Sequence, residues 1–453
     1  MRRLILDIST IARWSGPPVG IVRVEHRLAQ HVLRQWPEVV LAVYDARIRR
    51  LREVKPAWRE KLAGLDAVID TNTLDFRWRR PRLRRILSFR YPLLMALQRL
   101  HLSSPAVLRG AVAWLRQQLL GAHAALPPFT RPGGQQEVIL PVKLVLGPAL
   151  QLGPADTVLR AGSNWHDGAE IARAQQVLGF RLAVICYDLL PLTHPEFFPP
   201  AELPGFKAYW RSVLPAASRI LCNANCIARD ITAFAAEQRL SVHPPRIIPL
   251  GYSPPQFGKL PELQVPLRPK RFAMFVSTIE PRKGHAMLLQ AWRLLLAENI
   301  PQWHDFHLVF VGRTGWMVEE ILAELNGPAG NHLLHLRNIA DDMLERLYRD
   351  AAFCLYPSQY EGFGLPIIEA FAHGKAVIAS SGGAIPETAG GLSPCLPPGD
   401  TAAWAAMLAE WIANPAAYQP WEQKIANEFR YEPWPDAAEK ILTAAFYTDR
   451  HRL

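Results

Sequence analysis

Tyr356-Pro-Ser-Gln-Tyr-Glu-Gly-Phe-Gly-Leu-Pro-Ile-Ile-Glu-Ala-Phe-Ala-His-Gly374 is the stretch whose reading decides the fold. The apolar run ahead of it, Ala351-Ala-Phe-Cys-Leu355, reads as a buried parallel strand. A glycine-containing loop follows, Glu361-Gly-Phe-Gly364. Pro366 then stands where a helix can start, because its missing N–H is an orphan in the first turn anyway. The helix is expected over 367–373 and stops at Gly374, a residue suited to the left-handed position after a helix. Ala376-Val-Ile-Ala379 is the next strand. Strand, glycine loop, short helix, strand is a unit of an α/β fold with parallel sheets.

Two glutamates flank this loop, Glu361 and Glu369, eight positions apart. The amides of Gly362, Phe363, Gly364 and Leu365, with a helix N-terminus beside them, form a cradle for an anion or a hydroxyl. Glycine lets a ligand come close to the main chain. A carboxylate aimed at a phosphate would repel it, so the glutamates suit hydroxyl groups. A ligand with both phosphates and hydroxyls is a nucleotide sugar. Read alone, Glu361 could equally solvate a loop and Glu369 complement a helix N-terminus.

The segment resembles the E-x7-E signature of retaining glycosyltransferases of family 4, which have the GT-B fold. Ser358, Glu361-Gly-Phe-Gly-Leu-Pro366, Glu369-Ala370 and Gly374 fall in the family's order and spacing. The resemblance implies two Rossmann-like domains whose parallel sheets face a central cleft. It implies that Glu361 contacts the donor sugar and Glu369 the ribose. Lys375-Ala376 stands where the family usually has a proline.

The N-terminal half fits the same plan. Leu4 to Ile8 reads as a strand, Gly16-Pro-Pro-Val-Gly20 as a loop and 21–35 as a helix. A loop after the first strand of an α/β domain lies where ligands meet strand ends. G-x-G-x-x-G is absent, so this is no dinucleotide fingerprint. Gly20-Ile-Val-Arg-Val-Glu25 is similar to the version in polysaccharide-building members of the family, which puts Gly20 near donor phosphate and Gly16 and Arg23 on the acceptor side. Further strands are expected at 41–45, 67–70, 138–140, 157–159, 182–186 and 219–223. Asn164 and His166 follow the strand at 157–159 and are cleft candidates. Tyr187-Asp188 follows 182–186 and resembles a branch that often uses GDP-mannose; many members have His where Tyr187 stands, with His166 and His194 as the nearest substitutes. Asp188 is the candidate for contacting the acceptor or orienting the cleft. Asn223 and Asn225 read as caps of the helix that follows.

Pro254, Pro255, Pro261, Pro266 and Pro269 mark a linker over 254–270, between an N-terminal domain (1–253) and a C-terminal, nucleotide-sugar-binding domain (271–425). By the resemblance, a last helix within 426–453 crosses back to the first domain. In Ser277-Thr-Ile-Glu-Pro-Arg-Lys-Gly284 the adjacent Arg282 and Lys283 open a helix and suit a diphosphate. Many family members carry an extra arginine where Thr278 stands, so Arg282 and Lys283 take the charge here. Thr278, Gly312 and Asn338, each after a strand, join the donor side. Asp341-Asp342 could hold a metal in another fold, but the sequence after it reads as a helix, which makes Asp341 a cap. No metal or other cofactor is expected: Cys222 and Cys226 are four apart, but no His or Cys pair completes a zinc site with them.

The chain of 453 residues carries a formal charge of +11. Eleven arginines and no acid lie in 76–136, interleaved at first with aromatic and aliphatic residues, so this insertion accounts for the whole excess. That pattern suits an anionic membrane surface, or a solvated loop over a helical hairpin; no nucleic-acid motif accompanies it. The cysteines fit a reducing compartment, and no apolar stretch is long enough for a membrane span. The expectation is an enzyme at the inner face of the cytoplasmic membrane with a lipid-linked glycan acceptor. A transferase using a UDP- or dTDP-sugar, and a non-catalytic sugar-nucleotide-binding module, are the competing readings.

Overall fold

In the computed structural model the chain is described over residues 2–14, 18–65, 67–69, 138–140, 142–255, 257–263, 266–325 and 332–446. Gly16 and the arginine-rich 76–136 lie outside these residues.

The N-terminal domain is built on an eight-stranded sheet. Its strands are β1 (Arg3–Asp7), β2 (Val40–Asp45), β3 (Arg50–Val54), β6 (Leu146–Ala149), β7 (Asp156–Arg160), β8 (Arg181–Cys186), β9 (Arg219–Cys222) and β10 (Arg246–Ile247), in the order β10-β9-β8-β7-β1-β2-β3-β6. A separate parallel pair joins β4 (Ala67–Ile69) and β5 (Val138–Leu140). The central strands are nearly all apolar and buried, as parallel strands covered on both faces must be. At one edge β3 runs antiparallel to both β2 and β6. The sequence reading named neither edge strand: Arg50-Leu-Arg-Glu-Val54 buries only Leu51 and Val54, too few to stand out among charges.

The C-terminal domain carries six strands, all parallel: β11 (Phe272–Val276), β12 (His307–Val311), β13 (Leu333–Leu336), β14 (Phe353–Tyr356), β15 (Val377–Ser380) and β16 (Cys395–Leu396). Their order is β13-β12-β11-β14-β15-β16. The chain therefore winds outward from β11 to β13 and resumes on the other side of β11 with β14. Loops at such a switch point diverge and leave a crevice at the strand C-termini. Here those loops are 277–284 after β11 and 357–364 after β14. The N-terminal sheet has its own switch between β1 and β7, flanked by loops 8–14 and 161–167.

Five helices matter to the site. These are α1 (Gly20–Gln35), α2 (Asn225–Glu237), α3 (Leu365–Ala372), α4 (Ile385–Ala389) and α5 (Trp434–Phe446). α3 begins with Pro366 in its first turn and ends before Gly374, whose φ is +65°. α5 buries Trp434, Ala437, Ala438, Ile441, Leu442 and Ala445 in the N-terminal core beside Leu6, Leu28 and Leu159. The chain thus crosses between domains twice. The crossings run side by side: Tyr252 N donates to Glu432 O at 2.8 Å, and a Cβ on Gly251 would lie 2.6 Å from the Trp434 ring.

Two local readings are corrected. α2 has Ala224 at its N-cap, with no side-chain cap bond from Asn223 or Asn225. The helix Asp341–Asp350 has Ala340 at its N-cap, so Asp341 and Asp342 both sit inside its first turn, where carboxylates complement the helix dipole.

Candidate active site

The loops at the C-terminal switch point bring together the residues singled out after β11 and β14. Pro281-Arg-Lys283 forms one 3-10 turn, closed by Gly284 at φ +80°. A Cβ at Gly284 would lie 2.2 Å from Pro357 O, so the turn packs directly on the backbone that leads to Glu361. Gln359 N donates to Arg282 O at 2.7 Å, tying the two loops once more.

Across this junction Lys283 Nζ donates to Glu361 Oε1 at 2.6 Å and Arg282 Nη1 to Glu361 Oε2 at 2.9 Å. Arg282 Nε also pairs with Glu280 Oε2 at 3.2 Å. All four side chains are largely buried. Burial works against the Glu361 carboxylate, but Arg282 and Lys283 outweigh it and push its pKa down to about 2. Burial and the neighbouring Arg282 lower Lys283 despite Glu361. Burial alone would lower Arg282 too, yet Glu361 and Glu280 raise it. Glu361, Arg282 and Lys283 together carry one net positive charge in a water-poor crevice.

The loop that holds Glu361 is fixed through three successive carbonyls. Ala384 N donates to Glu361 O, Asn223 Nδ2 to Gly362 O and Thr388 Oγ1 to Phe363 O. Phe363 packs against the N-terminal core. Gly364, at φ +105°, turns the chain into α3 at Leu365. Gly362 is required by contact: a Cβ there would lie 2.1 Å from Tyr187 O. β8 of the N-terminal domain therefore ends directly against the glycine loop. Asp188, the next residue, is half-buried, and its Oδ1 accepts from Leu190 N at 3.1 Å. Burial raises its carboxyl pKa against the pull of Arg282, and Glu361 adds to the rise. Tyr187 donates its hydroxyl to Ala161 O at 2.6 Å, an N-terminal backbone contact.

Glu369 lies on α3. It accepts from Arg23 Nη1 of α1 at 2.7 Å and from the Tyr348 hydroxyl at 3.0 Å. Arg23, expected on the acceptor side, thus meets the glutamate expected on the donor side. Gly20, at φ +50°, starts α1. Of the residues expected on the acceptor side, Asn164 accepts through Oδ1 from Arg13 Nη1 at 3.2 Å, and His166 is exposed on the same loop. His194 packs its ring 5.1 Å from Tyr360. Thr278 is half-buried, and a Cβ on Gly312 would lie 2.0 Å from Ser277 O, so both line adjoining strand ends. Asn338 is exposed, with φ +51°, two residues past β13. Among the described residues no group of three or more His, Cys, Asp or Glu side chains converges as a metal site.

Several contributors escaped the sequence reading. Glu25 Oε1 accepts from Ile11 N at 2.8 Å, and burial, then Asp7, push its pKa up to about 8. A Cβ on Gly162 would lie 1.8 Å from Glu25 Oε2, so this carboxyl buttresses both loops at the N-terminal switch point. Glu280 balances Arg282. Trp316 Nε1 donates to Phe197 O at 2.9 Å, and Arg313 lies 5.8 Å from the Trp14 ring, so the loop after β12 reaches two N-terminal loops. These contacts join residues far apart in sequence, and no local pattern announces them.

Residues 270–414 match the family described as glycosyl transferases group 1. The serotype-specific mannosyltransferase WbdA of Escherichia coli is 32% identical over 200 residues, which is 41% of this chain and 24% of WbdA. The chain thus spans about a quarter of that relative's length. The O-antigen chain mannosyltransferase B of Escherichia coli is 35% identical over 145 residues, 32% of this chain and 37% of that protein. The crystal structure of Anabaena HepE in complex with UDP and glucose superposes with a TM-score of 0.52 at 14% identity, covering 98% of both chains. Two sheets of mainly parallel strands in that arrangement are the GT-B fold, and the residues that match the glycosyl transferases group 1 model, 270–414, include Arg282, Lys283, Glu361 and Glu369.

Proposed function

We propose that the chain is a retaining hexosyltransferase that moves a sugar, with mannose favoured, from a nucleotide-diphosphate sugar to a growing, lipid-linked polysaccharide. The observation that carries this is the Arg282–Lys283–Glu361 cluster at the switch point, 2.6 to 2.9 Å between partners, against the end of β8. The mannosyltransferase relatives support the choice of sugar. In this reading Arg282, Lys283 and the amides of 362–365 hold the diphosphate and stabilise the charge that grows on it as the glycosidic bond breaks. Fixed donors in a dry site stabilise such charge at little reorganisation cost. Glu361 orients the cations and takes a hydroxyl of the donor sugar. Glu369 takes the ribose. Asp188, Asn164 and His166 face the acceptor. The two buried carboxylates of a glycosidase, set on opposite faces of a sugar, have no counterpart in these roles.

The acceptor is assigned from the polysaccharide-building relatives and from the eleven arginines of 76–136, which suit the anionic inner face of the cytoplasmic membrane. Among the described residues no helix is long and apolar enough to cross a membrane.

A thermal-shift screen with GDP, UDP, dTDP and their sugars tests the donor. A ligand at a hundred times its Kd stabilises by about 2.7 kcal/mol. A shift with GDP and GDP-mannose alone supports the mannosyl reading. A shift with UDP or dTDP compounds keeps the transferase and replaces the donor. No shift with any nucleotide favours a non-catalytic module.

A further inference from the structure

The start of α2 departs from ordinary helix chemistry. Ser, Thr, Asp or Asn usually supplies the N-cap oxygen, but α2 has Ala224 there. The missing acceptor comes from the other domain. Glu387, on α4, accepts from Asn225 N at 2.7 Å and Asn225 Nδ2 at 2.9 Å through Oε2, and from Cys226 N at 2.8 Å through Oε1. Arg229, one turn further along α2, lies 3.8 Å from the same carboxylate. Asn223 is thereby free of capping and sends Nδ2 back across the boundary to Gly362 O. The exchange is reciprocal: the C-terminal domain caps an N-terminal helix, and the residue before that cap holds a C-terminal loop.

The loop so held is the one that carries Glu361. Its other two carbonyls are bonded by Ala384 and Thr388, which bracket Glu387 on and beside the same helix. Ala384 itself is buried in the N-terminal core, and the Tyr360 hydroxyl bonds Asp230 of α2. One surface of contact therefore fixes both the approach of the domains and the path of residues 361–363.

We infer that Glu387 and Asn223 are positioning residues that couple closure of the two domains to the geometry of the Glu361 loop. Turnover depends on them more steeply than binding of the nucleotide diphosphate, for which Arg282 and Lys283 of the C-terminal domain remain in place beside the 362–365 amides. This rests on the transferase reading above.

The test compares the full chain with Glu387→Ala, Glu387→Gln, Asn223→Ala and the double variant Glu387→Ala with Ala224→Ser. The last restores a local cap to α2 without the contact between domains, which separates folding from coupling. Sugar transfer, nucleoside-diphosphate Kd and the radius of gyration are measured for each. The expected result is that Glu387→Ala and Asn223→Ala lower kcat by about ten- to a hundredfold, the range a misplaced catalytic loop produces. The nucleotide Kd rises by less than kcat falls, and the radius of gyration rises. Glu387→Gln, which keeps an acceptor oxygen, recovers most of kcat. The double variant regains stability but not turnover. Unchanged kcat with an unchanged radius of gyration in the two alanine variants overturns the inference, as does recovery of full turnover by Ala224→Ser. If the wild-type chain neither binds a nucleotide nor transfers sugar, the transferase reading fails, while the scattering comparison still decides the coupling.

Discussion

Arg23 of α1 and Glu369 of α3 form an ion pair at 2.7 Å between the two domains, with the arginine side chain 29% exposed and the glutamate 12%. Burial alone would lower the arginine, and Glu369 raises it instead. The Glu369 carboxylate also accepts from the hydroxyl of Tyr348. Arg23→Ala leaves a half-buried carboxylate beside one neutral donor. The expected loss is about 1–2 kcal/mol in chemical denaturation, between an exposed pair and a buried one. Arg23→Lys recovers part of it, because a lysine keeps the charge without the planar fork. Equal stability of wild type and Arg23→Ala would mean that the pair carries no net interaction.

Lys283→Ala removes one of the two cations on Glu361 and is expected to lower transfer by about a hundredfold or more, the usual effect of losing a preorganised charge-stabilising group. The fold should persist, because Arg282 still balances Glu361. Glu361→Ala should abolish transfer equally and also destabilise the chain, since Lys283 loses its hydrogen-bonded carboxylate and Glu280 alone is left paired beside two buried cations. Steady-state transfer assays, with circular dichroism as the folding control, distinguish the two. Full activity in either variant refutes the assignment of the site.

Two buried carboxyls predict opposite pH behaviour. Glu25 is raised from 4.5 to about 8, so between those values the folded chain holds a proton that the unfolded chain has lost. Stability from this group therefore falls as pH rises through that window, by at most about 1.4 kcal/mol per pH unit. Glu25→Gln should flatten the slope and match the wild type most closely near pH 5. Glu361 is lowered from 4.5 to about 2, so its stabilisation is present above pH 4.5 and is lost as pH falls toward 2. Melting curves of wild type, Glu25→Gln and Glu361→Gln across pH 3 to 9 separate the two contributions. An identical pH dependence in all three would contradict both assignments.

Gly362→Ala places a methyl 2.1 Å from Tyr187 O and 3.0 Å from Tyr187 C, both backbone atoms that cannot swing aside. Either β8 or the glycine loop must move, and these belong to different domains. We expect transfer to fall by at least about tenfold, with nucleotide binding weakened less because Arg282 and Lys283 stay in place. Retained transfer would show that the approach of the domains tolerates a gap there.

The sequence made the C-terminal site readable because its chemistry is local. The pattern from Ala351 to Ala379 gave strand, loop, helix and strand within a few residues of β14, α3 and β15, and Arg282-Lys283 stood directly at a helix start. The switch point between β11 and β14 then joins these two stretches, which no single stretch could reveal. Asn223 illustrates the opposite case. Its position before a helix suggested a cap, yet its amide bonds Gly362 and the capping oxygen comes from Glu387, over 160 residues away in the chain. Glu25 fell within the helix expected over 21–35, and nothing local marked it as buried against Gly162. Of the expected residues, Gly16 and the 76–136 segment fall outside what the structure describes.

The paired crossings at Gly251–Tyr252 and Glu432–Trp434 set the terms for engineering. Because the strands of chain leave and return side by side, residues 253–432 form a cassette with both ends at one seam, while α5 belongs with the first 252 residues. A swap of donor specificity between relatives should exchange that cassette and leave Trp434–Phe446 in place. A graft that instead runs to the C-terminus would replace the apolar face that seals Leu6, Leu28 and Leu159, and the recipient half would have to accept a foreign plug in its own core.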